Sequence, residues 1–142
     1  MDVVRVCGVR RTAFHFRALL VWKTYSIYMD PLPDKCVPCE GGIPPLSDDD
    51  ARERALLVPK WRLTEQRIAR SFVLDNFRAA LAWVNRVGML AEEHGHHPNF
   101  HIRSWNQVEF VLWTHAADGL TDNDFVLARA IDGLAEKDGL EG

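Results

Sequence analysis

Apolar residues recur along the chain in two alternating periods, and the alternation gives an order of elements. Between about Asn76 and His94, Phe77, Ala80, Leu81, Val84, Gly88 and Ala91 fall on one face at helical spacing. Asp75 or Asn76 caps the start of this helix. Gly95 ends it by taking the left-handed conformation, and Pro98 reinforces the stop. A period of two follows from Gln107 to His115. Val108, Phe110, Leu112 and Thr114 point one way, as a core face does, while Glu109, Val111, Trp113 and His115 form a semi-polar, aromatic face suited to lining a pocket. Shorter strands are predicted at Trp61-Arg62-Leu63 and at Ile68–Val73, where Ile68, Arg70 and Phe72 alternate with smaller residues, and the two fit a hairpin. Phe100–Arg103 is extended, and Asn106 belongs to the turn that joins it to the strand that follows.

Two further helices frame these elements. Ser47 is a good N-cap, Asp48, Asp49 and Asp50 complement the helix dipole, and Ala51, Ala55, Leu56 and Leu57 give a short apolar face before Pro59. Thr121, with Asp124 three residues on, has the layout of a capping box, and Leu127, Ala128, Ile131, Leu134 and Ala135 supply the face of the final helix. The order is α-β-β-α-β-β-α. Short connections between consecutive strands imply antiparallel pairing. The expected fold is therefore α+β, a small antiparallel four-stranded sheet with the helices on one face.

The expected domain spans residues 47–136. A polar tail that frays follows at 137–142, and a Pro/Gly-rich lead-in precedes it at 36–46. Residues 1–35 form a leader expected to be poorly ordered. Its first 28 residues carry Arg5, Arg10, Arg11, Arg17 and Lys23 against Asp2 alone, an arginine-rich, acid-poor composition. That composition fits an organellar transit peptide, and equally an extension that translation from Met29 would skip. The first implies a mitochondrion or chloroplast, the second the cytoplasm.

At 142 residues and 47% apolar content the chain is one domain with enough material for a core. A net charge of −3 argues against direct nucleic-acid binding, and no apolar run is long enough to span a membrane. Three cysteines outside a Cys-rich framework point to a reducing compartment. Cys36 and Cys39 form a lone CxxC, read as two reduced loop thiols in preference to half a metal site or a redox pair.

Three of the six histidines, His94, His96 and His97, crowd the helix end, and His101 follows. Their spacing leaves three uses open. A metal site has enough imidazoles, counting His115, but adjacent His96 and His97 on a stiff connection are poorly placed to ligate one ion, and neither HExxH nor a paired cysteine set is present. Acid–base catalysis needs one imidazole to give a proton, a group to remove one, and an aromatic wall, for which Phe100, Trp105 and Trp113 are available. A structural use would have exposed imidazoles meeting the carbonyls of the helix end.

The ordered set Glu92, His96-His97-Pro98, Trp105, His115 and Asp124 resembles the signature of the pterin-4a-carbinolamine dehydratase family. Trp113-Thr114-His115-Ala116 … Gly119-Leu120-Thr121-Asp122-Asn123-Asp124-Phe125 and Cys36-Val37-Pro38-Cys39-Glu40 are similar to its plant and algal branch, so the likeness runs over roughly residues 36–134. The gap between Pro98 and Trp105 is longer than in animal members. The resemblance implies dehydration of 4a-hydroxytetrahydrobiopterin to quinonoid dihydropterin in tetrahydrobiopterin recycling, with no metal or organic cofactor. It also implies a dimer or tetramer of identical chains. By the same resemblance His96 and His115 are the acid–base pair and His97 binds and orients the pterin. Asp124 orients a histidine or the pterin edge besides capping its helix. Glu92 supports the pocket, Trp105 and Trp113 pack, and His94 and His101 are surface residues. Animal members also act as dimerisation cofactors for a homeodomain transcription factor, so an interaction module is the reading from a different class, and a histidine-cluster metal-binding protein is a third.

Overall fold

Local capping chemistry sets the helices of the protein, here described from a computed structural model over residues 32–38 and 43–140. Residues 1–31 of the leader expected at 1–35, and the Cys39 half of the CxxC, lie outside the described residues, while Leu32 within that leader is buried instead of poorly ordered. Helix α1 is Asp48–Ala55, with the Ser47 hydroxyl accepting from the Asp50 N–H. Ala51 is buried, but Leu56 and Leu57 lie past the helix end and are exposed, contrary to the expected face; Val58 is the buried residue of that turn.

Strands β1 (Arg62–Thr64) and β2 (Arg67–Val73) form the predicted hairpin. Strands β3 (Asn99–Arg103) and β4 (Gln107–Leu112) form a second hairpin, and β4 lies against β2, so the antiparallel sheet has the order β1-β2-β4-β3. Ser104 and Trp105 turn the second hairpin with φ of 46° and 61°, and Asn106 fastens it to the end of β2 through its side-chain amide and the Leu74 carbonyl, 2.8 Å. One face of the sheet carries Ile68 and Phe72 from β2 with Val108, Phe110 and Leu112 from β4, all buried against the helices. Phe72, Trp83 and Phe110 meet edge-to-face at its centre.

Helix α2 (Phe77–His94) begins at Asn76, whose side chain accepts from the Ala79 N–H, and ends at Gly95 with φ 63°. Its buried stripe is Ala80, Trp83, Val87 and Ala91. The stripe expected from sequence is rotated from this one: Ala80 and Ala91 belong to both, but Phe77, Leu81 and Gly88 are exposed. The helix is apolar on more than one side, and the indole of Trp83, which fills the space between Phe72 and Phe110, decides which side faces the sheet.

Helix α3 (Asp122–Lys137) buries Phe125, Val126, Leu127, Ala128, Ile131 and Ala135. Of the tail expected to fray at 137–142, the described residues are held through residue 140: the Leu140 N–H donates to the Ala135 carbonyl, Leu140 packs on the core and Asp138 pairs with Arg86. Ahead of the domain, Leu32 is buried, and Arg129 donates to the carbonyls of Leu32 and Pro33 at 2.8 and 2.6 Å. Among the described residues no helix is long and apolar enough to cross a membrane.

Candidate active site

Two chain reversals deliver the histidines. At the first, the left-handed Gly95 stops α2 and lets the His96 N–H reach back to the Ala91 carbonyl, so His96 and His97 leave the helix in a fixed direction. At the second, β4 ends at Leu112, three residues before the predicted strand end. Thr114 and Gly119 then bond to each other across a loop, N to O at 2.9 and 3.4 Å, and His115 begins a 3-10 turn, His115–Ala117, inside it. His115 is thus carried by a closed loop, not by a strand. Gly119 is required there, because a Cβ would stand 2.7 Å from Pro45 Cβ.

The three candidate imidazoles have three different partners. His96 is 7% exposed, and its Nε2 lies 2.7 Å from Oδ1 of Asp124, which is wholly buried. Asp124 Oδ2 accepts from Thr114 Oγ1 at 2.9 Å and from the Thr121 N–H at 2.8 Å. The capping expected of Asp124 and its contact with a histidine are therefore made by the same carboxylate. An ionised carboxylate only accepts, so Nε2 of His96 carries the hydrogen and Nδ1 is left as the acceptor in the neutral ring. His97 is exposed, with Nε2 2.9 Å from Oε1 of the exposed Glu92. His115 is exposed and stacks on Trp113, ring centroids 4.1 Å apart and tilted by 50°.

These contacts join the sites in a chain of neighbours: Glu92 to His97, adjacent His96 to Asp124, Asp124 to Thr114, and Thr114 to adjacent His115. A cavity of about 450 Å³ opens on the His97 side between α2 and β3, where Glu92, His97, Pro98, Phe100 and Met89 line it. His96 and His115 are not on that lining.

Other expectations are corrected. Trp105 sits exposed at the β3–β4 hairpin tip and contributes neither packing nor a wall to the cavity, whereas Phe100 does line it. His94 is half-buried with Nδ1 enclosed and without a hydrogen-bond partner, because it lies on the inner edge of the last turn of α2. Burial, then the charge of Lys35, push its pKa below the ordinary 6.5; Glu93 opposes and His96 adds to the lowering. His101 is exposed, as expected. Among the described residues no group of three or more His, Cys, Asp or Glu side chains is arranged to hold a metal ion.

Two further residues shape the site. Thr114 reads in the sequence as a core-facing strand residue and a motif position, and its place just before His115 is the signal of its role; its hydroxyl donates to Asp124 and orients it. Asn123, in the sequence only a motif position, holds the lead-in. Its side-chain amide bonds both N–H and C=O of Val37, at 2.9 and 2.8 Å, and its carbonyl lies 3.4 Å from Cys36 Sγ. The lead-in thus crosses the start of α3 beside Asp124.

Residues 44–134 match the family model described as pterin 4 alpha carbinolamine dehydratase. A Rubrobacter xylanophilus protein assigned by name to this dehydratase is 46% identical over 108 residues, covering 75% of this chain and all of its own. Pterin-4-alpha-carbinolamine dehydratase 2, mitochondrial, of Arabidopsis thaliana is 35% identical over 121 residues, 82% of this chain and 65% of its own. Among solved structures, a transcriptional coactivator/pterin dehydratase from Brucella melitensis superposes with a TM-score of 0.58 at 27% identity, over 64% of this chain and 98% of its own. The chain belongs to the pterin-4a-carbinolamine dehydratase family, a family of hydro-lyases.

Proposed function

We propose that the protein dehydrates a pterin 4a-carbinolamine by histidine acid–base catalysis and so serves the recycling of the tetrahydropterin. The reaction needs two proton movements. The 4a-hydroxyl takes a proton and leaves as water when the C4a–O bond breaks. The adjacent ring nitrogen gives up its proton, and its electron pair forms the new C=N bond of the quinonoid dihydropterin. No net electron transfer occurs, so an acid and a base of near-neutral pKa suffice.

The observation that carries this reading is the His96–Asp124 pair. A buried carboxylate fixes the tautomer of His96 and stabilises its imidazolium, which leaves Nδ1 to take and return a proton. His115, exposed on its loop, is the complementary member of the acid–base pair. His97, tied to Glu92 at the mouth of the apolar cavity, binds and orients the flat substrate. Stopped-flow decay of carbinolamine absorbance tests the assignment. We expect His96→Ala and His115→Ala each to lower kcat about 100-fold, with His97→Ala acting mainly on KM. Wild-type protein that leaves the decay rate at its spontaneous value would end the dehydratase reading.

Oligomerisation belongs to the same proposal. The exposed apolar side chains of α2, Phe77, Leu81 and Met89, support association of identical chains. Sedimentation equilibrium tests it, and a monomer at micromolar concentration would exclude it.

A further inference from the structure

The outer face of the sheet, opposite the helices, carries three arginines. Register places Arg62 beside Ala69 at one edge and Arg103 beside Gln107 at the other, and both reach Glu109, at 3.5 and 3.2 Å. Arg67, at the start of β2, differs. It is exposed, and among the described residues no carboxylate lies within ion-pair distance of it. What holds it is Trp113: the guanidinium carbon stands 4.6 Å from the centre of the indole. The same indole stacks on His115.

Within a chain of net charge −3, this puts an uncommitted positive charge one aromatic ring away from a candidate catalytic histidine. A guanidinium laid on an aromatic face keeps its N–H edge free, and that edge matches the two oxygens of a carboxylate or phosphate. Trp113 directly follows β4, whose last pair is Leu112 with Ile68, the residue after Arg67, so the cation and the indole are brought together by one strand pairing.

We infer that Arg67, seated on Trp113, is a specificity residue that recognises an anionic substituent on the pterin, a carboxylate or phosphate carried on the ring's side chain. The inference rests on the dehydratase reading and narrows its substrate class. An uncharged side chain would leave the guanidinium to water; an anionic one would gain a paired, charge-assisted contact beside His115.

Three carbinolamines with the same ring and different side chains test it: one hydroxyalkyl, one carboxylate-bearing and one phosphate-bearing. The wild-type protein should show a lower KM for at least one anionic substrate than for the hydroxyalkyl one, and the arm that shows it identifies the anion. Arg67→Ala should reduce that KM ratio about tenfold, Arg67→Lys should restore part of it, and Arg67→Gln serves if the alanine variant does not fold. Turnover of all three without preference, or a preference that survives removal of the charge, overturns the inference alone. Failure to turn over any of the three overturns the dehydratase reading and this inference with it.

Discussion

Asp124 is wholly buried and is satisfied by donors from three elements: His96 after α2, Thr114 after β4 and the Thr121 N–H at the start of α3. Asp124→Asn keeps the shape but turns one acceptor oxygen into a donor, which must then face a group that already donates. We expect kcat to fall about 10- to 100-fold, the size usual for a residue that orients a catalytic imidazole. His94 gives a second prediction at this scale. Its folded pKa lies below 6.5, chiefly through burial, while the unfolded chain takes up the proton from about 6.5 downward. The unfolded state therefore binds more protons in the window beneath 6.5. The stability that neutral His94 contributes is whole above that pH and is lost as pH falls toward the folded value. Melting temperatures should drop on acidification below pH 6.5, and His94→Gln should flatten that part of the curve.

At the level of elements, α2 acts as a ruler that ends at the site. Gly95, with φ 63°, is the point at which helix becomes presentation of His96 and His97. Gly95→Ala should cost about 1 kcal/mol in chemical denaturation. Activity should fall further than that loss of folded protein explains, because the direction in which the two imidazoles leave the helix changes. Such features were legible in the sequence because they are local: Ser47, Asn76, Gly95 and Thr121 each cap or end a helix through groups a few residues away. The strand alternation of Val108, Phe110 and Leu112 was legible for the same reason. The buried side of α2 was not. Phe77 and Leu81 are as apolar as Trp83 and Val87, and only the packing of Trp83 with Phe72 and Phe110 separates the two stripes. The end of β4 was hidden by the Thr114–Gly119 closure, which overrides an alternation continuing to His115. Of the site, the ordered motif pointed to His96, His97, His115, Asp124 and Glu92, but partners such as His96 and Asp124 stand 28 residues apart and are paired only by the fold. Trp105 misled because an aromatic in a motif does not reveal that it sits on a hairpin tip.

Across the molecule, a further polar network besides that of Asp124 is set into the apolar core. Arg70 is 3% exposed on the inner face of β2 and pairs with Asp132 of α3, which also accepts from Trp61 Nε1 at 2.7 Å, while the guanidinium lies 4.3 Å over the Phe72 ring. Asp132→Ala would leave a buried cation without its counter-charge, and we expect it to cost about 3–5 kcal/mol, measured by urea unfolding. Replacing Arg70 and Asp132 together by apolar residues should recover much of that loss. The segment ahead of the domain is also part of the whole. Arg129 grips Leu32 and Pro33, and Asn123 grips Val37, beside the carboxylate that orients His96. This sets a limit on maturation. A protease cutting before Leu32 leaves every one of these contacts in place, whereas a cut after Val37 removes the cover from the start of α3. If the arginine-rich leader is removed in the cell, the new amino terminus that keeps all of these contacts lies at or before Leu32.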